Sequence, residues 1–359
     1  MKEKVSRGRF FEDFRLGEEL VHATPRSVTQ GDAALYLGLY GSRFAVNSSD
    51  AFARRLGFAA APLDDFLVFH LVFGRTVPDV SRNGVSNLGY AEGRFGVPVY
   101  PGDTLSAASR VIGLRQNRSG ETGIVYVRSR GLNQRGDPVV EFSRWVMVRK
   151  RDREAPAPET VLPELEESVA AEHLVVPGGL VAADYDTRLS GSVHLWDDYE
   201  PGERLDHVDG VTVEESDQAM VTRLYQNNAP VHLNAQMMEA SRFGRRIAMA
   251  GHVISIARTL SFNGLGNAFR VAAINGGRHV APVFAGDTLY AWSEVLEKSP
   301  LPARGDLGAL RLRTVAAKDR DCAEFPLVTP DGDRDPAVVL ELDYTVLLPR
   351  RAAPDRRSR

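Results

Sequence analysis

The sequence has little that would suit an extracellular, membrane or nucleic-acid-binding protein. Its single cysteine, Cys322, cannot form a disulfide within the chain, and the longest apolar run, residues 66–73, is too short to span a bilayer. The net charge of -3 provides no broad basic field for nucleic acid. Residues 1–14 are mostly polar or charged and lack the apolar core of a signal peptide. We therefore expect a cytoplasmic protein that binds neither membrane nor nucleic acid.

The composition is that of a globular protein with more than one core. Apolar residues make up 43% and charged residues 25% of the 359 residues, which is close to the usual balance of folded proteins. A chain of this length exceeds what one hydrophobic core normally serves. Two domains are the expected organisation.

Two segments of the chain are copies of each other. Residues 97–105 (VPVYPGDTL) return as residues 281–289 (APVFAGDTL), with six identities in nine and a separation of 184 positions. Near the start, residues 10–17 align with residues 195–202 at a separation of 185. The sequence therefore predicts a tandem repeat, in which the two copies differ in length by small insertions or deletions.

Each copy has the same predicted order of elements. A helical apolar pattern, at residues 66–74 and 252–260, precedes alternating segments typical of antiparallel strands with one buried face. One helix followed by several strands indicates an α+β fold in which a sheet wraps a helix. Proline and acidic residues in 152–179 favour a linker, so we predict domains at residues 1–151 and 180–359. The alternating segments are residues 123–130, 139–148, 310–315 and 338–348.

The second copy contains a motif that resembles a known enzyme family. Pro230, Val231 and His232 follow a short polar turn, and Ala250 and Gly251 come about twenty positions later, as in the MaoC-like hydratases. Over residues of about 8 to 348, and especially in residues 274–288 (INGGRHVAPVFAGDT), the chain is most similar to the mesaconyl-CoA hydratases among them. The resemblance implies a tandem (double) hot-dog fold, an acyl-CoA substrate, no metal or redox cofactor and a homodimer of such chains. It also implies hydration of mesaconyl-CoA to β-methylmalyl-CoA.

Hydration of a thioester-conjugated double bond sets chemical requirements that His232 and Gly251 can meet. A base must take a proton from water, a proton must reach the α-carbon, and donors must stabilise the enolate oxygen. Histidine titrates near neutrality, and Pro230 two residues earlier stiffens the loop that aims His232. Gly251 precedes a predicted helix and offers a backbone N–H that a carbonyl oxygen can approach closely. We predict His232 as the proton carrier and Gly251 as the oxyanion-hole donor.

The family usually places an aspartate five residues before this histidine, and here that position is Asn227. An amide cannot carry a proton, so Asn227 would hold water or orient His232, and His232 would then make both proton transfers. If His232 cannot make both proton transfers, a carboxylate from elsewhere in the chain must make one of them. The candidates are Asp217 and Glu239.

The first copy lacks the proton carrier. Its positions opposite Asn227 and His232 hold Ser42 and Asn47. The resemblance implies that such a degenerate half helps to form the acyl pocket. Because mesaconyl-CoA has a free carboxylate, we also expect an arginine to bind it through two hydrogen bonds. The unranked candidates are Arg43, Arg242, Arg270 and Arg278.

Several other polar residues have simpler structural explanations. The Gly-Asp-Thr turns at 102–104 and 286–288 occur in both copies, so we expect them to connect strands rather than to act in catalysis. Asp64 and Asp65 are expected to cap the helix of the first copy, and His252 to cap or pack a helix.

Three other functions remain open at this stage. The first is hydration of a related enoyl- or itaconyl-type CoA ester. The second is thioester hydrolysis, which in hot-dog enzymes usually relies on a carboxylate of the central helix; the second helix has none, whereas Asp64 and Asp65 open the first. The third is an inactive acyl-CoA-binding protein, which the replacement of the family aspartate by Asn227 would favour.

Overall fold

The structure is a computed structural model that describes residues 4–183, 185–302 and 304–351. Its strands form one ten-stranded sheet in the order β1-β3-β4-β5-β2-β7-β10-β9-β8-β6. Every named strand pair is antiparallel. None of the helices described is long and apolar enough to cross a bilayer.

The two halves contain the same series of strands around one central helix. The first half contains β1 (Glu19–Ser27), α1 (Gln30–Tyr40), α2 (Ala45–Ser48), α3 (Asp50–Arg55), α4 (Asp65–Val80), β2 (Gly84–Phe95), β3 (Thr104–Gln116), β4 (Thr122–Leu132) and β5 (Pro138–Arg149). The second contains α5 (Thr187–Ser190), β6 (Arg204–Thr212), α6 (Glu215–Leu224), α7 (Pro230–Leu233), α8 (Ala235–Glu239), α9 (Ala250–Leu260), α10 (Phe262–Leu265), β7 (Arg270–His279), β8 (Thr288–Pro300), β9 (Leu307–Lys318) and β10 (Val338–Pro349). The predicted helices and alternating strands are thus present in both halves.

The halves join edge to edge through β2 and β7. Tyr90 pairs with Gly277, and Ala91 pairs with Gly276, so the sheet continues across the boundary between the copies. Helix α4 packs on the strands of the first half and helix α9 on those of the second, and the two helices also contact each other. The apolar faces of both halves consequently share one large hydrophobic cluster, and three smaller clusters lie outside it.

Helix α4 shows how local sequence produces the central helix. Asp64 accepts a hydrogen bond from the Phe66 N–H (2.8 Å) and so caps the first turn, as expected. Residues on all faces of α4 are buried, because the sheet wraps it and helix α9 lies alongside. The helix extends beyond the predicted residues 66–74 to Val80, with Pro78 near its end. A proline there removes only one hydrogen bond of the helix.

Equivalent polar networks recur in the two halves as parts of the scaffold. The His22 ring contacts the Ser109 hydroxyl at 2.7 Å, and the His207 ring contacts the Ser293 hydroxyl at 2.8 Å. The Gly-Asp-Thr turns are likewise structural, as expected. Asp103 accepts the Tyr100 N–H (2.9 Å), and the corresponding aspartate of the second turn closes it in the same way.

A buried cluster of hydroxyl groups ties the two halves together at their centre. The Tyr40 hydroxyl lies 3.1 Å from the hydroxyl of Tyr225, the residue that the repeat places opposite it. It also lies 3.0 Å from Nδ1 of His252, so this histidine packs in the interior, as expected. Tyr36 donates to Ser255 (3.0 Å). Satisfied networks of this kind fix one relative placement of the helices.

Gly74 is the point where α4 approaches the second half most closely. A Cβ atom at this position would lie 1.8 Å from the Tyr225 carbonyl oxygen. We expect Gly74→Ala to lower the free energy of unfolding by about 1–3 kcal/mol, because the backbone of one half must move away from the other. Denaturant unfolding would measure this loss.

Gly38 provides the matched control for this prediction. It is also a helical glycine, but a Cβ atom there meets nothing within 4 Å. Gly38→Ala should leave stability unchanged or raise it by up to about 1 kcal/mol, because alanine favours a helix. Equal effects of the two substitutions would show that the close approach at Gly74 does not matter.

Candidate active site

A cavity of about 920 Å³ lies between the two halves and is lined by both. The first half contributes residues of α4, β2 and β5. The second contributes the region from Asn227 through α8, the start of α9, and the segment from His279 to Val283. A cavity of this size suits the acyl part of a large ligand. The motif residues Asn227, His232 and Gly251 of the second half therefore line a cavity that the first half helps to enclose.

His232 lies in the short helix α7, which Pro230 begins. Its Nδ1 is 2.9 Å from the Ile247 carbonyl oxygen, and a carbonyl can only accept, so Nδ1 carries the hydrogen. Nε2 of the neutral ring is then a proton acceptor, and the residue lines the cavity. Burial lowers the pKa of His232, although its hydrogen bond to Ile247 opposes the shift. The ring is therefore neutral at pH 7 and able to act as a base.

Asn227 lines the same cavity and shapes the turn before His232. Its side-chain oxygen accepts the Ala229 N–H (3.0 Å), which closes a turn of the kind that Asn and Asp favour. Because the Ala229 N–H can only donate, the amide atom that it contacts is the oxygen, and the NH₂ group of Asn227 remains available as a donor. Asn227 is thus both a turn residue and a hydrogen-bond donor beside the cavity.

Gly251 is the second residue of helix α9 and also lines the cavity. Its N–H is one of the first four of the helix, which have no carbonyl partner within it and lie at the positive end of the helix dipole. A Cβ atom at Gly251 would lie 2.8 Å from ring atoms of His70, so only glycine fits. The His70 ring of the first half therefore packs directly against the candidate oxyanion donor.

The structure separates the four candidate arginines. Only Arg242 lines the cavity, and its side chain is exposed. Arg270 is buried beside Asp65, with which it forms an ion pair at 3.4 Å. Arg278 pairs with Glu341 on the exposed surface of the sheet. Arg43 is exposed and does not line the cavity.

Neither carboxylate considered as a substitute base reaches the cavity. Glu239 is exposed, and Asp217 lies beside His252 at a separate small pocket. In the part of the chain that the structure describes, no aspartate or glutamate lines the cavity. No group of three or more His, Cys, Asp and Glu side chains among those residues could hold a metal ion.

The sequence did not single out His70, Arg144 or His279 as site residues, and all three line the cavity. Burial lowers the pKa of His70 to about 3, with smaller contributions from nearby His279 and His252, and lowers the pKa of His279 to about 4. Both rings are therefore neutral at pH 7, and their Nε2 atoms are buried without a partner. His70 occurs inside the longest apolar run, which marked a core helix but gave no sign of a cavity.

The first-half counterparts of the motif occupy different surroundings. Asn47 donates to the Pro62 carbonyl oxygen (3.1 Å), and neither Asn47 nor Ser42 lines the cavity. The first half thus contributes wall residues, while His232, Asn227 and Gly251 come from the second.

Comparisons with known proteins show which family the chain resembles. Residues 2–327 match a family model described as mesaconyl-CoA hydratase. The chain is 62% identical over 351 residues to a β-methylmalyl-CoA dehydratase of Chloroflexus aurantiacus, an alignment that covers 98% of this chain and 100% of the relative. It is 56% identical over 347 residues to a mesaconyl-CoA hydratase of Cereibacter sphaeroides, covering 97% and 100% of the two chains.

Solved structures confirm the predicted fold. A MaoC domain protein dehydratase from Chloroflexus aurantiacus superimposes with a TM-score of 0.96 at 61% identity, covering 98% of this chain and 100% of that one. A Mycobacterium tuberculosis protein described as a double hotdog fold superimposes with a TM-score of 0.71 at 24% identity, covering 96% and 99%. The ten-stranded sheet around α4 and α9 is therefore a double hot-dog fold of the α+β class.

Proposed function

The chain belongs to the mesaconyl-CoA hydratase family, and from that premise we propose that it interconverts mesaconyl-CoA and β-methylmalyl-CoA at the cavity between its two halves. The observation that carries this proposal is the convergence of His232, Asn227 and the start of helix α9 on that cavity. Together these groups are proposed to supply the two proton transfers, the hold on the attacking water and the donor for the enolate oxygen. The addition of water involves no redox change and so needs no redox cofactor, and we propose that the side chains and backbone of the protein catalyse it without a metal.

The Gly251 N–H is proposed to stabilise the negative charge that develops on the thioester oxygen. Water adds to the carbon β to the thioester, and the electrons of the double bond move toward the carbonyl to form an enolate. An N–H at the positive end of a helix binds that oxygen more strongly in the transition state than in the substrate. The absent side chain of Gly251 leaves room for the His70 ring of the first half, which packs beside this N–H.

His232 is proposed to make both proton transfers. Nε2 takes a proton from water as the oxygen attacks the β-carbon, because Nδ1 is occupied by the Ile247 carbonyl. The protonated ring then delivers a proton to the α-carbon, which returns the neutral ring and completes the addition. The Asn227 NH₂ group is proposed to hold the oxygen of the attacking water, since its own oxygen serves the Ala229 turn.

Thioester hydrolysis has less support from the cavity. That reaction would need a carboxylate to activate water, and the cavity has none among the residues described. Asp64 caps helix α4, while Asp65 pairs with Arg270 and accepts the Val271 N–H at 2.9 Å. Both carboxylates that suggested hydrolysis are thus occupied in holding the fold together.

An assay that follows absorbance, free thiol and product mass together tests the proposed function. Purified protein mixed with mesaconyl-CoA should lose the absorbance of the enoyl thioester, release no free thiol, and form a product that has gained one water by mass. Thiol release would show a thioesterase instead. Unchanged absorbance with retained binding would show an inactive binding protein, and faster hydration of an itaconyl- or simple enoyl-CoA would assign a different substrate.

Asn227 gives a prediction of intermediate size. Asn227→Ala should lower kcat by about tenfold, because the Ala229 turn and the donor to water are both lost, each at a modest energetic cost. Asn227→Asp keeps the turn acceptor, and its carboxylate can hold the water by accepting a hydrogen bond from it, so this variant should retain most of the activity. Steady-state kinetics would measure both, with Asn228→Ala as the control because Asn228 does not line the cavity. If Asn227→Ala is as active as the control, Asn227 takes no part in the chemistry.

We also propose that the chain acts in the cytoplasm as a homodimer of double hot-dog units. The unpaired and buried Cys322 suits a reducing compartment. Light scattering should give a mass about twice the 39.4 kDa of one chain, and a value equal to one chain would contradict the dimer.

A further inference from the structure

Arg144 on strand β5 is a cation buried beside the cavity. Its side chain is fully buried, and its guanidinium carbon lies 4.3 Å from the centre of the Phe73 ring. The groups that accept its hydrogen bonds are all uncharged: the Thr76 hydroxyl at 2.8 Å, the Ser81 hydroxyl at 3.3 Å and the Asn87 side-chain oxygen at 3.4 Å. Arg144 is contributed by the first half, and it is a wall residue of the cavity.

No carboxylate compensates this buried charge. Within residues 4–183, 185–302 and 304–351, no aspartate or glutamate forms an ion pair with Arg144 or raises its pKa, and the nearby Tyr90 phenol is neutral at pH 7 because burial raises its own pKa. Burial lowers the pKa of Arg144 to about 10, so the guanidinium remains protonated at pH 7. A buried charge without a counter-ion costs stability. A ligand anion that pairs with Arg144 would offset that cost.

Two unsatisfied donors point to the shape of that anion. The Nε of Arg144 and the Nδ2 of Asn87 are both buried without a hydrogen-bond partner. Because Asn87 presents its oxygen to Arg144, its NH₂ group is directed elsewhere. A carboxylate has two acceptor oxygens and could bind both donors together once small side-chain movements open these two atoms to the cavity.

We propose that Arg144, with Asn87 beside it, binds the free carboxylate of the substrate. This assignment rests on the proposed function, because mesaconyl-CoA carries that carboxylate on the carbon to which water adds. The Gly251 N–H at one end and Arg144 at the other would then fix both ends of the short acyl group, and leave the double bond beside His232. The first half, which has lost the proton carrier, thereby supplies the specificity for a carboxylated substrate.

The exposed arginines of the cavity are less suited to this role. Arg149 lies five residues further along β5, and Arg242 follows α8; both side chains are exposed. An exposed guanidinium is solvated by water and discriminates weakly between a charged and an uncharged group. Arg149 and Arg242 therefore serve as matched controls.

The test compares two substrates that differ only in this group. The methyl analogue (E)-2-methylbut-2-enoyl-CoA has a methyl group in place of the free carboxylate and is otherwise identical to mesaconyl-CoA. We expect Arg144→Met to lower the ratio of kcat/KM for mesaconyl-CoA to kcat/KM for the analogue by about 100-fold, the range of one lost charged contact. The melting temperature of Arg144→Met should be no lower than that of the wild type, because a buried unpaired charge is removed. Arg149→Met and Arg242→Met should leave the ratio unchanged, since any effect on the CoA moiety applies equally to both substrates.

A second variant protects the test against loss of folding. Asn87→Asp is nearly isosteric and places a protein carboxylate beside Arg144, so it should compete with the substrate and lower the same ratio by at least tenfold. A wild-type ratio in both Arg144→Met and Asn87→Asp would overturn the proposal, as would a fall in the ratio confined to Arg242→Met. If the wild-type protein does not hydrate mesaconyl-CoA at all, the proposed function fails first, and that result is seen before any variant is compared.

Discussion

His232→Ala is expected to lower kcat for mesaconyl-CoA by about 10³- to 10⁴-fold and to leave the fold intact. This variant removes the proposed proton carrier, and the loss corresponds to one general acid–base catalyst. The ring is half-buried and makes one hydrogen bond, to the Ile247 carbonyl. Its removal should therefore change the melting temperature little. Steady-state kinetics and thermal unfolding would measure the two effects.

The repeat supplies the control for this variant. Asn47 is the first-half counterpart of His232, and its side chain donates to the Pro62 carbonyl away from the cavity. Asn47→Ala should keep activity close to the wild-type value. His70→Gln and His279→Gln would test the two other histidines of the cavity. If His232→Ala retains most of the activity while one of these variants loses it, the proton carrier has been assigned to the wrong histidine.

The stability of the protein is expected to fall steeply below about pH 6.5. Burial lowers the pKa of His70 to about 3 and the pKa values of His207, His252 and His279 to about 4, whereas an unfolded histidine titrates near 6.5. The folded pKa is below the unfolded pKa in each case. Between these values the unfolded state binds more protons, so acid favours unfolding, and the full stability is present only above about pH 6.5.

The expected magnitude is large because several histidines titrate in the same range. A shift of one pKa unit corresponds to about 1.4 kcal/mol, so four such residues together could remove on the order of 5–10 kcal/mol by about pH 4.5. That is comparable to the whole stability of many domains. Denaturant unfolding at a series of pH values would measure the free energy of unfolding directly. A constant value from about pH 7 to pH 4.5 would contradict the neutral burial of these rings.

The repeat and the motif made much of the fold and part of the site predictable from the sequence. Alternation in residues 139–148 and 338–348 predicted two strands that the structure contains as β5 and β10. Strand β7 was not predicted, because Gly276 and Gly277 interrupt its apolar pattern. Both glycines lie where β7 pairs with β2, and a Cβ at Gly277 would lie 2.9 Å from Leu342. Packing against a neighbouring strand thus favours glycine at position 277, and the apolar/polar alternation within one segment of sequence cannot reveal such a preference.

The residues contributed by the first half were beyond sequence reasoning for a related reason. His232 and Gly251 belong to one motif, whereas Arg144 and His70 reach the cavity only because β5 and α4 pack beside the second half. In the sequence, Arg144 reads as an ordinary polar interruption of an alternating strand. Its burial beside Thr76 and Asn87 appears only after folding. Arg270 is the opposite case. It was a candidate for the substrate carboxylate, but in the fold its ion-pair partner is Asp65.

A crystal structure of the His232→Asn variant with mesaconyl-CoA bound would test the account most directly. We predict that the acyl group lies in the cavity between the halves, with the thioester oxygen accepting the Gly251 N–H and the double bond beside residue 232. The free carboxylate should contact Arg144. An acyl group bound outside this cavity, or one whose double bond faces His70 or His279 instead, would contradict it.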